Sequence, residues 1–529
     1  MKRFNTTGIC KPEKHYMVDL HERLIQIKEM VDDGQYFVIN RARQYGKTTT
    51  LFALKKFLAK DYLVVFLDFQ NQMSARKFED EMVFSIAFLE AFLKKISLDE
   101  MQSSLKEKLE QLRKFYTEKP EKLDLVVLFN LLSEVCEVSE KPVVLVIDEV
   151  DSASNNQVFL DFLAQLRGGF LARDEEATFH SVILAGLYDI KNLKRKLRSE
   201  EEHKTNSPWN IAADFDVNMS LSEIGIANML EEYDRDYQIG MNVSSMAKDI
   251  HDYTSGYPFL VSRICKLLDE KVSLHMSKSE AWTHRGFVEA LKLLYNEKNT
   301  LFDSLTHRME ENKELETLVY DVLFTGKHIL YDPYNAAIEQ AQILGFVKNK
   351  NGAVAIANRI FETRLYNMFL STSEARSTNT YVVGMKDKNQ FVSNGYLDME
   401  QVIYRFVQHY TDIYGDRDDV FKENEGRRLF LLYLRPIING VGNYYIEAQT
   451  RDARRTDVIV DYNGQQYIIE LKIWHGEVYN QSAEEQLSDY LDVYNLKKGY
   501  LLTFNFNKKK EIGVKTITYK DKILVEAIV

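Results

Sequence analysis

The stretch "RARQYGKTTT", residues 41–50, follows the short apolar run "YFVIN" and leads into an amphipathic segment. It ends in the Gly-Lys-Thr of phosphate-binding loops, in which glycine lets the backbone approach a phosphate and lysine reaches the β- and γ-phosphates. The usual pattern has a glycine five positions before Gly46, where this chain has Arg41. The motif alone leaves two interpretations open: a nucleotide loop with an unusual entrance, or a chance Gly-Lys-Thr before a surface helix.

A second motif decides between these interpretations. In "VVLVIDEVD", residues 143–151, an apolar run ends in Asp148 and Glu149. At the carboxyl end of a parallel strand, Asp148 can hold the shell of a Mg²⁺ ion and Glu149 can polarise an attacking water. A buried strand capped by surface acids is the alternative, but the two motifs together predict a nucleotide site in which Thr48 also ligates Mg²⁺. The residues predicted to bind the nucleotide are Gln44, Tyr45, Gly46, Lys47, Thr48, Thr49 and Asp148.

Both motifs belong to a longer pattern. Residues 1–220 alternate short β-branched runs with helical stretches. Near-continuous apolar strands separated by helices indicate a parallel sheet that is buried on both faces. The predicted strands are 36–40, 62–69, 142–149, 181–187 and 214–220.

Four stretches, "RARQYGKTTTL", "VLVIDEVD", "SVILAGLYDI" and "TSGYPFLV", resemble the AAA-like ATPases related to the archaeal-ATPase and STAND branch of P-loop NTPases. The resemblance covers residues 1 to about 285 and implies ATP as the nucleotide. It further implies a third acidic residue at Asp151 and an inserted strand, "SVILAGL", between the two motif strands. A lid helix would begin at residues 256–258, near the nucleotide. The arginine finger stays unassigned among Arg167, Arg173, Arg195 and Arg198.

The other informative stretch is "TDVIVDYNGQQYIIELKIW", residues 456–474, in which Asn-Gly is typical of a two-residue type I′ hairpin turn. Folding about that turn places Asp457 opposite Glu470, and Lys472 shares their face of the hairpin. Facing carboxylates repel each other, and a divalent cation such as Mg²⁺ would relieve the repulsion. We therefore predict that Asp457 and Glu470 bind metal, and that Lys472 orients the attacking water or steadies the developing charge. The alternative is a solvated hairpin edge.

This arrangement resembles that of PD-(D/E)XK phosphodiesterases, and the resemblance covers residues from about 385 to 529. It implies a metal-dependent nuclease and therefore a nucleic-acid partner. In "ENEGRRLF" the helical acidic metal ligand would be Glu425, with Glu423 as its rival. Gln486 and Tyr490 match the supporting Gln-x-x-x-Tyr helix of the RecB-like and resolvase-like branches.

Between the two sites the pattern is mostly helical. Residues 291–372 read as helix, helix, a hairpin at Asn351-Gly352 and a final helix, which is the order of a winged helix. The polar stretch 371–380 is the predicted linker. The predicted fold class is α/β, with an ATPase core at 1–220, a helical lid at 221–290, a winged helix at 291–372 and a nuclease-like domain at 381–529.

Composition sets the remaining expectations. The chain has 529 residues, a net charge of −11 and three cysteines far apart in sequence. No apolar run reaches the ~18 residues of a membrane span, and no signal peptide is visible. We expect a cytoplasmic protein with no membrane partner, and the oligomeric state stays open.

Taken together, the patterns predict an ATPase that controls a Mg²⁺-dependent nuclease. The alternative is a STAND-type ATP switch whose C-terminal fold binds nucleic acid or a partner without cleaving.

Overall fold

The computed structural model describes residues 2–96, 103–153, 156–186, 209–325, 329–414, 423–438, 441–448, 456–474, 484–485, 487–488, 491–492, 494, 496–505, 507 and 510–529. The chain forms two compact units. The first consists of Met1–Leu221 with Tyr257–Phe259, and the second of Ser222–Gly256 with Leu260–Val529.

The first unit combines helices with a four-stranded sheet. Its helices are α1 (His21–Asp32), α2 (Lys47–Leu58), α3 (Phe69–Gln72), α4 (Glu81–Lys95), α5 (Ser103–Glu118), α6 (Leu125–Val138) and α7 (Gln157–Ala172). Its strands are β1 (Tyr36–Asn40), β2 (Leu63–Asp68), β3 (Val143–Asp148) and β4 (Ser181–Gly186). Helices α4 and α6 begin where the side chains of Asp80 and Asp124 accept backbone N–H groups that the helix leaves free.

The sheet of the first unit is parallel, with the order β1-β4-β3-β2. The predicted insertion of "SVILAGL" between the two motif strands is therefore confirmed. Alternate residues of each strand enter separate apolar clusters on the two faces, as Leu145 and Val146 of β3 do. The prediction of a sheet buried on both faces is confirmed as well, and it places the carboxyl ends of β1 and β3 on one edge.

The predicted fifth strand, 214–220, is wrong. Only a bridge between Phe37 and Ala213 joins this segment to β1. Phe215 and Val217 are buried beside the sheet, which explains the strand-like alternation in the sequence. The carbonyl groups that a further strand pairing would use are instead bonded by arginine side chains. Arg41 donates to the carbonyls of Phe215 and Val217, and Arg23 to those of Asn218, Met219 and Ser220.

The second unit is helical in its first half. Its helices are α8 (Glu223–Tyr237), α9 (Val243–Thr254), α10 (Pro258–Glu270), α11 (Lys278–Ala281), α12 (His284–Asn296), α13 (Thr300–Glu311), α14 (Lys313–Tyr320), α15 (Ala336–Ile343), α16 (Arg359–Phe369), α17 (Ser373–Ser377), α18 (Asn379–Asp387), α19 (Met399–Tyr414) and α20 (Glu423–Ile438). A π-helical turn, Asp321–Thr325, follows α14. Helix α10 starts within the first unit, at Pro258, and continues in the second.

The strands of the second unit form two short hairpins and one large sheet. They are β5 (Val347–Lys350), β6 (Ala353–Ile356), β7 (Val392–Ser393), β8 (Tyr396–Leu397), β9 (Gly442–Ala448), β10 (Thr456–Tyr462), β11 (Gln465–Ile473), β12 (Lys498–Phe504), β13 (Gly513–Tyr519) and β14 (Lys522–Ile528). The large sheet is mixed, with the order β13-β14-β12-β11-β10-β9. The α/β fold class predicted from the sequence is confirmed by the two sheets.

The Asn-Gly hairpins are found where the sequence predicts them. Residues 351–352 turn between β5 and β6, and residues 463–464 turn between β10 and β11, with positive φ at all four positions. A third Asn-Gly turn, Asn394-Gly395, joins β7 to β8 and was not predicted. The same dipeptide signal was available there.

Two other differences concern the second unit. The predicted linker 371–380 contains α17 and the start of α18, whose first turns are capped by the hydroxyls of Thr372 and Thr378. Beyond β12, the strands β13 and β14 extend the C-terminal sheet. The apolar run "KILVEAIV" carried the signal for β14. Among the described residues, no helix is long and apolar enough to cross a membrane.

Candidate nucleotide-binding and nuclease sites

The loop between β1 and α2 has the backbone that phosphate loops require. Gln44 (φ 58°) and Gly46 (φ 80°) are both left-handed, and α2 begins immediately afterwards at Lys47. The first N–H groups of α2 therefore face the loop, where they can bind an anion. The side chain of Thr49 faces elsewhere, because its Oγ1 accepts the backbone N–H of Cys10 at 3.2 Å.

Lys47 lies inside this loop. Its Nζ donates to the carbonyl oxygens of Arg41 (2.7 Å) and Ala42 (3.1 Å), and the residue is buried. Burial lowers the pKa of Lys47, while the carboxylates of Glu149 and Asp151 act to raise it. Carbonyl oxygens thus hold the ammonium group beside the phosphate position, and the acidic motif faces it.

Thr48 and Asp148, the two residues predicted to hold Mg²⁺, are in contact. Thr48 Oγ1 donates to Asp148 Oδ2 at 2.8 Å. Burial raises the pKa of Asp148, and burial together with Asp148 raises that of Glu149, whose backbone is left-handed (φ 57°). Crowded carboxylates that are costly to ionise are favourable ligands for a divalent cation.

Asp68 is an acidic residue of this edge that the sequence analysis missed. It ends β2 directly opposite Asp148 of β3, and its charge helps to raise the pKa of Asp148. The sequence signal for Asp68 was its position at the end of the apolar run "YLVVFLDF". Asp151 lies at the neighbouring strand end, since a Cβ placed on Gly186 of β4 would stand 2.8 Å from Asp151 Oδ1. The acids therefore gather where the parallel strands end.

Arg41, in the position of the usual glycine, does not point into the phosphate loop. Its guanidinium donates to the carbonyls of Asn40 (3.1 Å), Phe215 (3.0 Å) and Val217 (3.3 Å). It also stacks over the ring of Phe215, 5.1 Å from the centroid. Arg41 thus ties the segment after the sheet to the loop entrance, while its own carbonyl holds Lys47.

The predicted start of the lid helix packs on the phosphate loop. Tyr257 donates its hydroxyl to the carbonyl of Arg43, and its ring meets that of Tyr45 edge-on at 4.7 Å. Pro258, the first residue of α10, lies 3.9 Å from where a Cβ on Gly46 would stand. Of the arginine-finger candidates, Arg173 donates to Gly34 O, and Arg195 and Arg198 lie outside the described residues.

The second site lies on the β10–β11 hairpin. Asp457 is the direct partner of Glu470, as the register argument predicts. Glu470 is 3% exposed and Lys472 only 1%. The alternative of a solvated hairpin edge is therefore wrong. The side chain of Asp457 lies outside the described part of the structure.

Polar residues of the neighbouring strands extend this buried face. Across the sheet, Glu470 of β11 faces Leu501 of β12, which faces Glu526 of β14. Glu526 is fully buried and pairs with Lys515 at 2.7 Å. Thr503 stands beside Lys472, and its buried hydroxyl has no hydrogen-bond partner among the described residues. The carboxylate-and-lysine face thus contains a polar atom that a water or ligand could satisfy.

Glu484 adds another acid to the same face. Burial and the charge of Glu526 raise its pKa, whereas Lys472 and Lys515 lower it. Neither Glu484 nor Glu526 is predicted as a site residue from the sequence, and an isolated acid within the apolar run of β14 was the only signal for Glu526. The described residues around Glu484 are helical, while Gln486 and Tyr490 lie outside the described part.

The predicted helical ligand, Glu425, is in the first turn of α20, which begins at Glu423. The next residue, Gly426, packs so closely on Phe504 that a Cβ there would be 2.6 Å from the ring. The start of α20 is thus fixed beside the end of β12, next to Thr503. The side chains of Glu425 and its rival lie outside the described residues, so the choice between them stays a prediction.

The donors that are described suit a hard divalent cation. Carboxylate and hydroxyl oxygens are the ligands that Mg²⁺ prefers. They are present at Thr48 and Asp148 and, on the other sheet, at Glu470 with the unpaired hydroxyl of Thr503 nearby. Among the residues that the structure describes, no three His, Cys, Asp or Glu side chains are already grouped as metal ligands.

A parallel sheet with a phosphate loop and an acidic strand end defines a P-loop ATPase domain, and the buried Glu-x-Lys hairpin is typical of a nuclease fold. Family models agree with both assignments. Residues 12–185 match the family described as predicted AAA-ATPase, and residues 441–517 match the PD-(D/E)XK nuclease superfamily. The two family predictions made from the sequence are thereby confirmed.

Solved structures with a similar chain course have low sequence identity. The Walker-type ATPase PABY2304 of Pyrococcus abyssi is 14% identical with a TM-score of 0.45, covering 68% of this chain and 99% of that one. The Aeropyrum pernix ORC2 protein in ADPNP–ADP complexes is 12% identical with a TM-score of 0.38, covering 70% and 98%. No curated protein sequence matches the chain. The fold assignment therefore rests on sheet topology and the family matches.

Proposed function

We propose that this protein is an ATPase in which ATP binding and hydrolysis control a metal-dependent nuclease. The observation that carries the nuclease proposal is the burial of Glu470 and Lys472 on one face, opposite Asp457. Burying charged groups costs free energy, and proteins commonly accept that cost at functional sites. The match of residues 441–517 to a nuclease superfamily supports the same proposal.

At the first site, Lys47 binds the β- and γ-phosphates, and Thr48 and Asp148 hold Mg²⁺. Glu149 orients and polarises the attacking water, for which its raised pKa suits a general base. The backbone of the loop cradles the phosphates, since α2 begins at Lys47.

At the second site, Asp457, Glu470 and Glu425 hold the metal and Lys472 acts as the base, with Gln486 and Tyr490 in support. Lys472 would take the proton of the attacking water or steady the charge that develops on the phosphate. When bound, Mg²⁺ would polarise the reacting phosphate at either site. The substrate is a nucleic-acid phosphodiester.

Two tyrosines support the coupling of the sites. Tyr257 bonds to the phosphate loop through the Arg43 carbonyl, and Tyr253, four residues earlier, donates to Asp461 Oδ2 at 2.8 Å. Asp461 is on β10, the strand of Asp457. Between the tyrosines, Ser255 and Gly256 make a tight left-handed turn that ends α9. A displacement of the loop by nucleotide would be transmitted along this short stretch of chain.

The predicted domains fit this scheme. Residues 221–290 would be the lid, and residues 291–372 the winged helix, which would present nucleic acid to the nuclease. The β5–β6 hairpin followed by α16 supplies the elements that a winged helix requires. The unit boundary at Leu221 is close to the proposed end of the ATPase core.

A cleavage assay tests the proposal. Purified full-length protein is incubated with single- and double-stranded DNA and RNA, Mg²⁺ or Mn²⁺, with and without ATP. We expect cleavage that changes with ATP and that falls roughly 100-fold or more in Glu470→Gln and Lys472→Met, since each removes a group acting on the reaction. Lys386→Met, an exposed lysine of α18, is the matched control.

Circular dichroism of each variant separates loss of activity from loss of fold. If the wild type leaves every substrate intact while still binding ATP, the nuclease proposal fails and the ATP-switch alternative is favoured.

A further inference from the structure

A basic cavity in the second unit has no role in either site. It has a volume of about 400 Å³ and lies among α12, α13, α16, α20 and β9. Three cationic residues line it, Lys292, Arg364 and Arg435, and none of the described lining residues is acidic. The chain as a whole carries a net charge of −11, so this concentration of positive charge is a local feature.

Both arginines are held in place by neutral partners. Arg435 donates to the carbonyl of Asn367 at 2.9 Å and to Ser371 Oγ at 2.6 Å. Arg364 donates to the carbonyl of Tyr295 at 2.8 Å. Among the described residues, no carboxylate lies within ion-pair distance of either guanidinium, and burial lowers the pKa of both. Both positive charges are therefore held in place and partly desolvated, and the nearby charge of Asp303 offsets part of the effect of burial on the pKa of Arg364.

The third cation is paired at the rim. Lys292 donates to Glu289 at 2.8 Å, but Glu289 does not line the cavity. The pair is partly exposed, with Glu289 the more accessible partner, and Lys292 could exchange this carboxylate for another anion. Lys292 can therefore turn to a ligand.

Tyr444 gives an independent sign of a ligand. This residue of β9 lines the cavity and is 3% exposed, and its buried hydroxyl has no hydrogen-bond partner among the described residues. Leaving a buried hydroxyl unsatisfied costs free energy, so such a group calls for an explanation such as a bound ligand. Arg435 is the charged group that acts on Tyr444. A hydroxyl donor and a guanidinium therefore converge on one side of the cavity.

We propose that this cavity binds a small phosphorylated ligand of mononucleotide size. A phosphate group would place negative charge beside Arg435 and Arg364, and its oxygens could accept a hydrogen bond from the hydroxyl of Tyr444. The cavity volume is within the ~300–1,000 Å³ of small-molecule sites and exceeds what inorganic phosphate alone would fill. The proposal concerns binding alone and does not depend on nuclease activity.

Calorimetric titration tests the proposal in full-length protein carrying Lys47→Ala, so that the phosphate loop does not compete. The probes are AMP, inorganic phosphate and adenosine. We expect AMP to bind, phosphate to bind more weakly, and adenosine to bind least. Arg435→Gln should weaken AMP binding about 10-fold or more, the usual value of a charge-assisted phosphate contact. Arg405→Gln, an exposed arginine of α19, should leave it unchanged.

Tyr444→Phe is a second test variant, and its expected result differs from that of a folding defect. It removes an unsatisfied hydroxyl, so the melting temperature without ligand should be unchanged or higher while AMP affinity falls. Two results would overturn the proposal: no AMP or phosphate binding to the Lys47→Ala protein, or equal AMP affinity in Arg435→Gln and its background. Tighter binding of phosphate than of AMP would replace the nucleotide with inorganic phosphate as the occupant.

Discussion

Removing the hydroxyl of Tyr253 should uncouple the two sites. In the second unit this hydroxyl donates to Asp461 Oδ2 at 2.8 Å, and the carboxylate is 3% exposed. Tyr253→Phe keeps the edge-on ring contact with Phe287, whose centroid is 5.1 Å away. The substitution therefore deletes the polar link and preserves the packing.

The size of the effect follows from the burial of the pair. A hydrogen bond to a charged group contributes about 1.5–3 kcal/mol, and a buried acceptor that loses its donor bears the full desolvation penalty. We expect Tyr253→Phe to destabilise the second unit by about 2 kcal/mol. For a unit of about 300 residues, that corresponds to a fall in melting temperature of roughly 3 °C.

The assay compares cleavage rates with and without ATP in Tyr253→Phe and the wild type, below the melting temperature of both. We expect ATP to lose its effect on cleavage while the rate of ATP hydrolysis stays within about two-fold. Tyr404→Phe, an exposed tyrosine of α19, is the control. If Tyr253→Phe retains the full ATP effect on cleavage, the connection through Asp461 does not carry the coupling and the reasoning is refuted.

Three further predictions concern single residues. Burial raises the pKa of Asp461, so the wild type loses stability as the pH rises through and above the ordinary range of that carboxyl group. Asp461→Asn mimics the protonated form, so its stability relative to the wild type should increase between pH 4 and pH 8. Denaturant unfolding at each pH measures this difference. Arg41→Gly restores the usual loop glycine but removes three hydrogen bonds to carbonyls. The free energy of unfolding should fall by about 2 kcal/mol, and ATP affinity should not increase. Tighter ATP binding would contradict the assignment of Arg41. Lys47→Ala should abolish ATP binding in a titration, whereas Glu149→Gln should retain binding and lose hydrolysis by roughly 10²–10⁴-fold; the reverse pattern would overturn both roles.

Local chemistry explains which features the sequence could predict. The pairing of Asp457 with Glu470 followed from the Asn-Gly turn, because a two-residue turn fixes the register and strands alternate with period two. The burial of Glu470 did not follow, since it depends on strands and a helical segment that lie later in the chain. Glu526 reaches the site only through the parallel pairing of β12 with β14, which the hairpin does not encode.

Long-range contacts explain what the sequence could not predict. The role of Arg41 depends on carbonyl groups about 175 residues away, so no local pattern indicates it. The segment that supplies these carbonyls alternates apolar and polar residues like a strand. Its hydrogen bonds to arginine side chains explain why it forms no strand pairing. The basic cavity likewise gathers Lys292, Arg364 and Arg435 from three separate helices. Single residues of this kind become informative only once the fold places them together.

The burial of the nuclease face bears on how the two sites work together. Glu470 Oε1 and Lys472 Nζ have almost no surface accessible to water. A phosphodiester cannot touch these atoms in this arrangement, so part of what covers them has to move before cleavage. Leu487 and Leu491 pack against Gly499 of β12, which lies on the same face of the sheet as Leu501, the neighbour of Glu470. In the proposed scheme, ATP binding and hydrolysis in the same chain would supply the free energy that opens this site.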